Sequence, residues 1–143
     1  RLGWALAPKL MIDAMAKLQS QVTSGACSLS QAAAEAAVGE FHPYAAEFKA
    51  KFDRRRQVAI EELKKIPGLK WMEPEGAFYI FVDFSKVVKG VSVTDFAEEL
   101  LMKHGVCVIP GVAFGEPHFL RISYALSEEQ IIEGISRIKK ALS

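Results

Sequence analysis

A single arginine inside an apolar run offers the plainest chemistry in this chain. Arg121 sits in Phe119-Leu120-Arg121-Ile122-Ser123-Tyr124-Ala125, and strand alternation puts it on the face shared by Phe119, Ser123 and Ala125. A guanidinium does not give up its charge, so a buried one requires an anion. A carboxylate matches its planar fork with two parallel hydrogen bonds. A plainer reading is also open: an arginine on an edge strand, or one paired with an internal acid such as Asp83. On these residues alone the plainer reading carries more weight, because arginines are mostly exposed or paired.

Other groups say less. Pro110-Gly111-Val112-Ala113-Phe114-Gly115 is a tight loop after an apolar run, its glycines permitting backbone that other residues resist. Glu75-Gly76-Ala77-Phe78-Tyr79 reads as the entry to a hairpin. Arg54-Arg55-Arg56 is the one basic run, and Glu61 and Glu62 follow it on the same helix. A solvated helix face is the expected reading, not a phosphate patch. His42, His104 and His118 are too scattered for metal-ligand spacing. No serine stands in a nucleophile-elbow motif.

The elements that must position these residues follow from periodicity. Residues 2–7 form a short apolar run ended by Pro8, which predicts a buried strand. Met11, Met15, Leu18 and Val22 recur at helical spacing until Gly25. Ser28 with Gln31 has capping-box spacing and opens an alanine-rich helix running to Gly39. His42-Pro43 opens a further element. Phe48, Phe52, Ala59, Leu63 and Ile66 make the stripe of the longest helix, stopped by Pro67-Gly68. Residues 69–72 and 77–84 read as strands. Ser92 with Asp95 caps a helix that Gly105 ends. Residues 106–109 and 118–125 read as strands, the first of them buried. Ser127 with Gln130 caps a last helix whose face is Ile131, Ile135, Ile138 and Leu142. From residue 69 the order is ββαββα, an α/β sandwich with helices on one face of a sheet.

Composition bounds the function. The chain has 143 residues, half of them hydrophobic and 24% charged, which is a globular composition long enough for a core. Eighteen Lys and Arg against 17 Asp and Glu leave a net charge of +1. That balance argues against nucleic acid or an anionic membrane as main partner. No apolar run approaches the roughly 20 residues of a membrane helix, and no signal segment opens the chain. Cys27 and Cys107 lack CxxC spacing and are expected as reduced thiols. The chain opens on Arg1-Leu2-Gly3-Trp4 and not on Met, so a fragment is expected.

Four of these segments together resemble the fold-type-I, pyridoxal-phosphate (PLP) dependent aminotransferases of the aspartate aminotransferase family, most nearly the bacterial and plastid-type aspartate/prephenate group. Arg1-Leu2-Gly3-Trp4 is similar to the segment that follows that family's Schiff-base lysine. Glu75-Gly76-Ala77-Phe78-Tyr79, Pro110-Gly111-Val112-Ala113-Phe114-Gly115 and Leu120-Arg121-Ile122-Ser123-Tyr124-Ala125 match three more of its motifs, in order and at suitable distances. The resemblance covers essentially the whole chain. It implies the C-terminal part of the fold-type-I transferase fold: residues 1–47 as the tail of the large PLP-binding domain, and 48–143 as the small α/β domain. It implies that Arg1 holds the PLP phosphate, that Arg121 grips the substrate α-carboxylate, and that Phe78 is an aromatic near the substrate. It thereby reverses the balance between the two readings of Arg121. Thr23-Ser24-Gly25 matches a loop near the partner subunit's active site, and the parent would be a homodimer, cytoplasmic or in the plastid stroma.

The departures bear on activity. The Schiff-base lysine, the aspartate that pairs the pyridine nitrogen, the aromatic that stacks on the ring and the asparagine at the 3-hydroxyl have no counterpart in this chain. No catalytic residue is therefore assigned here, and the isolated chain is expected to be inactive. The parent would move an amino group between an amino acid, expected to be aspartate, and a 2-oxo acid. No Arg lies between Arg1 and Arg54, so dicarboxylate selectivity would have to come from elsewhere. Two rivals stand beside this reading. One is a non-catalytic small-molecule-binding α/β module that uses Arg121 as an anchor. The other is an RNA-binding domain using Arg54 to Arg56, which predicts exposed sheet aromatics and a basic surface.

Overall fold

A computed structural model describes residues 1–39 and 44–142; the element start expected at His42-Pro43 lies outside them. The chain divides into two compact units, Arg1–Ala45 and Ala46–Ser143.

The first unit is helical. α1 (Lys9–Val22) and α2 (Ser28–Gly39) are joined by a turn in which Ser24 takes a positive φ of 63°. The strand expected at residues 2–7 is not formed. A strand exists only through a partner's hydrogen bonds, and all four described strands lie at residues 70–123. Trp4 and Leu6 are accordingly exposed. Neither helix buries a residue, and Leu10, Met11, Met15, Leu18 and Val22 of α1 all stand open. The capping box expected from Ser28 and Gln31 is also absent, because the helix begins one residue early. The Gln31 amide donates to the Cys27 carbonyl, so Cys27 takes the cap position, and the Gln31 side chain reaches back to the Ala26 carbonyl instead. The amides of Ser30 and then Leu29 hold the Cys27 thiol below its usual range.

The second unit contains the core. α3 (Tyr44–Lys64) has all but Tyr44 and Ala45 in it, and turns its Ala59, Ile60 and Leu63 inward before Pro67-Gly68 ends the run. Then follow β1 (Lys70–Trp71), β2 (Tyr79–Asp83), α4 (Val93–His104), β3 (Ile109–Pro110), a 3-10 turn (Gly111–Phe114), β4 (Phe119–Ser123) and α5 (Glu128–Ala141). This is the expected ββαββα order. The sheet is antiparallel with strand order β1-β2-β4-β3, so β2 and β4 are its interior strands, paired along their full five residues. Ile80, Val82, Leu120 and Ile122 of one sheet face join α3, α4 and α5 in a single hydrophobic cluster. On α5 the buried residues are Ile131, Ile135 and Ile138, and each such side chain contributes about 1.5–3 kcal/mol.

The helix ends agree with their residue types. Ser92–Asp95 and Ser127–Gln130 both close reciprocal capping boxes, each worth about 1 kcal/mol. Gly105, at φ 64°, ends α4 in the left-handed conformation, where a side chain would be strained. The buried strand expected at 106–109 shrinks to Ile109 and Pro110. The Val106 amide is already committed to the Leu100 carbonyl that closes α4, and Cys107 is exposed rather than interior. Among the described residues no helix is long and apolar enough to cross a membrane.

Hydrogen exchange on the 143-residue chain should therefore show its strongest protection in β2, β4 and α5, and weak protection before Gly39. Equal protection in the first 39 residues would contradict this distribution of burial.

Candidate functional site

Arg121 occupies the middle of β4, between Phe81 of β2 and Ile109 of β3. The alternation of β4 buries Leu120 and Ile122 in the core and sends Arg121 to the other face with Phe119 and Ser123. On that face the register brings up Tyr79, Phe81 and Asp83 from β2. The face is half-buried and mostly aromatic. Phe81 stacks on Phe119 with centroids 4.8 Å apart and meets Phe114 edge-on at 5.9 Å.

The guanidinium carbon of Arg121 lies 4.4 Å from the Tyr79 ring centroid and 4.8 Å from that of Phe114. Contacts at this range attract a cation to the ring faces. They do not supply a hydrogen-bond acceptor. The Arg121 Nε is buried without a partner, and an unsatisfied buried donor costs about 1–3 kcal/mol. Both plainer accounts of this residue fail among the described residues. β4 is an interior strand, not an edge. Asp83 is turned to its own neighbour, accepting from the Ser85 amide at 2.8 Å. Burial pushes the Asp83 carboxyl up, but the hydrogen bonds from Ser85, with His118 and Lys70 nearby, bring it below its ordinary value. A permanent cation with an idle buried donor beside two rings can accept an anion with two coplanar oxygens.

Two loops frame this group. In the 3-10 turn, a Cβ at Gly111 would fall 2.3 Å from the Glu116 carbonyl oxygen and 2.7 Å from that of Phe119, so only glycine fits. Gly115 ends the turn at φ 84°. These two glycines deliver Phe114 to Arg121. The second loop, Glu75-Gly76-Ala77-Phe78, leads into β2. Phe78 is partly exposed, its ring 4.4 Å from Tyr79 and 6.0 Å from Phe52. Phe78 thus reaches the site through Tyr79, which touches both it and Arg121.

Arg1 belongs to the first unit and is exposed. The basic run on α3 is not a uniformly solvated face. Arg54 pairs with Glu128 at 2.6 Å and stays open, whereas the Arg56 side chain, 24% exposed, is tied to Asp53 and Glu73. No group of three or more His, Cys, Asp or Glu that could hold a metal occurs among the described residues. Sequence reasoning missed Tyr79, Phe114 as a ring partner, Arg56 and Tyr124. Alternation along β2 puts Tyr79 and Phe81 on one face, but which face meets Arg121 depends on a register that the sequence does not state.

Comparison with known proteins supplies the remaining findings. The family described as aminotransferase class I and II matches residues 1–138. A probable aspartate/prephenate aminotransferase of Aquifex aeolicus is 46% identical over 99% of this chain and 37% of its own length. A bifunctional aspartate and glutamate/aspartate-prephenate aminotransferase of Petunia hybrida is 42% identical over 99% of this chain and 32% of its own. The chain spans about a third of the length of the curated relatives it matches. Among solved structures, the aspartate aminotransferase of Rhizobium meliloti superposes with a TM-score of 0.82 at 40% identity, over 94% of this chain and 36% of that one. An aromatic aminotransferase of Pyrococcus horikoshii gives 0.82 at 33%, over 95% and 37%. The fold is thus that of the C-terminal α/β part of the fold-type-I enzymes.

Gly111→Ala should destabilise the second unit by at least about 2 kcal/mol, since backbone oxygens on both sides cannot yield to a methyl group. Denaturant midpoints measure this. A loss below about 0.5 kcal/mol would show that the turn is not as tightly closed as described.

Proposed function

Because the chain belongs to the class I and II aminotransferases, we propose that it is the C-terminal part of an enzyme that moves an amino group from an amino acid, aspartate in our reading, to a 2-oxo acid. Residues 1–47 are read as the tail of the large cofactor-binding domain and residues 48–143 as the small domain. The parent is read as a homodimer, cytoplasmic or stromal as in the family it resembles.

The observation that carries the reading is the buried, partnerless Nε of Arg121 between two aromatic rings. An amino acid and a 2-oxo acid share one group, the α-carboxylate, and a bidentate guanidinium recognises that group in both. Arg121 binds and orients; it does not transfer protons, and its contribution is to hold the reacting carbon in one geometry. Tyr79 and Phe114, their ring centroids 4.4 and 4.8 Å from the guanidinium carbon, shield it from water, which would strengthen an ion pair formed there. Phe78 supplies an apolar wall beside Tyr79.

PLP is the cofactor the family generally uses, and when bound it supplies the electron sink. The residues described here fit part of that role. Arg1, an exposed cation, suits a phosphate. None of the four motifs carries the lysine that would hold the cofactor.

In the full-length protein, Arg121→Leu should lower kcat/KM by about 2–5 kcal/mol of transition-state binding while the fold survives. Arg121→Lys should recover little, because an ammonium cannot reproduce the fork. Near-wild-type kcat/KM in Arg121→Leu would remove the assignment. The 143-residue chain alone should be inactive as a transaminase. Borohydride treatment with PLP should then leave no single lysine modified in stoichiometric yield, and a specific one-to-one adduct would contradict this.

A further inference from the structure

Ala77 adopts φ 58°, a left-handed conformation that its Cβ makes unfavourable. Such a residue persists where its surroundings over-determine it, and these positions gather at ligand clamps. Here two side chains from distant parts of the sequence do the holding. The Tyr124 hydroxyl donates to the Ala77 carbonyl at 3.0 Å, and the Tyr124 amide donates to the Phe78 carbonyl at 2.9 Å. One residue thus grips two successive carbonyls. Upstream in the same loop, Arg56 Nη1 donates to the Pro74 carbonyl at 3.2 Å and to Glu73 Oε1 at 3.1 Å. Its Nη2 and Nε hold Asp53 at 2.7 and 3.2 Å, which keeps the guanidinium aimed at the loop. Tyr124, Arg56, Asp53 and Ala77 line one cavity of about 380 Å³. Burial keeps the Tyr124 phenol above its usual range, with Arg56 opposing and Asp53 adding to the effect.

The loop so held runs straight into Tyr79, the first residue of β2, whose ring lies on Arg121. Tyr124 follows Ser123, the register partner of Tyr79, at the end of β4. We propose that Arg56 and Tyr124 are positioning residues for the carboxylate site: by fixing Ala77 in its left-handed conformation they set where the Tyr79 ring lies, and through it the plane in which Arg121 meets its ligand. The proposal rests on Arg121 being the carboxylate anchor.

The test uses the full-length protein and five variants beside the wild type, Arg121→Leu among them. Tyr124→Phe keeps the ring and removes only the hydroxyl. Arg56→Lys keeps the charge but cannot reach Asp53, Glu73 and Pro74 together. Each should raise KM for the amino donor about 5- to 10-fold, the equivalent of one lost hydrogen bond, with kcat within about twofold. Arg54→Ala, on the same helix but paired with Glu128, should leave KM unchanged. Ala77→Gly added to Tyr124→Phe should restore KM to within about twofold, because glycine takes the left-handed conformation without being held. A merely structural role would lower the melting temperature of Tyr124→Phe and Arg56→Lys and leave KM at the wild-type value. That result, beside a disabled Arg121→Leu, would overturn the proposal and spare the assignment of Arg121. Failure of Ala77→Gly to restore KM would overturn the part given to the strained residue. Near-wild-type kcat/KM in Arg121→Leu would overturn both.

Discussion

A guanidinium that cannot be neutralised, set in an interior strand of a sheet, is the constraint around which the second unit is arranged. An interior strand has neighbours on both sides, so the Arg121 side chain cannot swing over an edge into water. Only the face away from the core is left to it. That face is made tolerable by rings: Tyr79 and Phe114 meet the cation with their π-electrons, and Phe81 and Phe119 pack around them. Aromatic contacts offset part of the desolvation of the charge but leave its buried Nε without an acceptor. The imbalance is local: one buried donor is left open to an acceptor.

The opposite sheet face has no such tension. Ile80, Val82, Leu120 and Ile122 meet three helices in an all-apolar cluster, with no buried charged or polar residue among those described. The stable half of the sheet thereby supports the costly half. Tight geometry follows the same division. Ala77, with its positive φ, and Gly111, with no room for a side chain, both lie on the way to the aromatic clip, whereas the helix caps of α4 and α5 sit in favourable geometry.

Legibility in the sequence followed the range of the interactions involved. Both capping boxes in the second unit, the glycine at the end of α4 and the ββαββα order depend on residues within a few positions of one another, and they formed as expected. The strand at residues 2–7 did not, because its apolar character says nothing about a partner, and none is paired with it. Residues 106–108 looked like a strand for the same reason, yet the closing of α4 claimed the Val106 amide. Arg121 stood out as an anomaly on composition alone. Tyr79 comes to Arg121 through the β2–β4 register, and Phe114, Arg56 and Tyr124 through turn and hydrogen-bond contacts between distant residues, which only the folded chain displays. The family resemblance bridged part of that gap, since four motifs in order carry information that no single segment holds.

The two outer strands of the sheet have a further consequence. β1 and β3 are two residues long, and β3 ends in Pro110, which has no amide hydrogen to offer. An exposed edge of five or six regular residues would be a template for another chain's backbone. Here the long, well-registered strands are enclosed, and the margins present almost no continuous ladder. The second unit therefore resists polymerising edge to edge, which protects a chain that carries exposed aromatic and aliphatic side chains elsewhere on its surface.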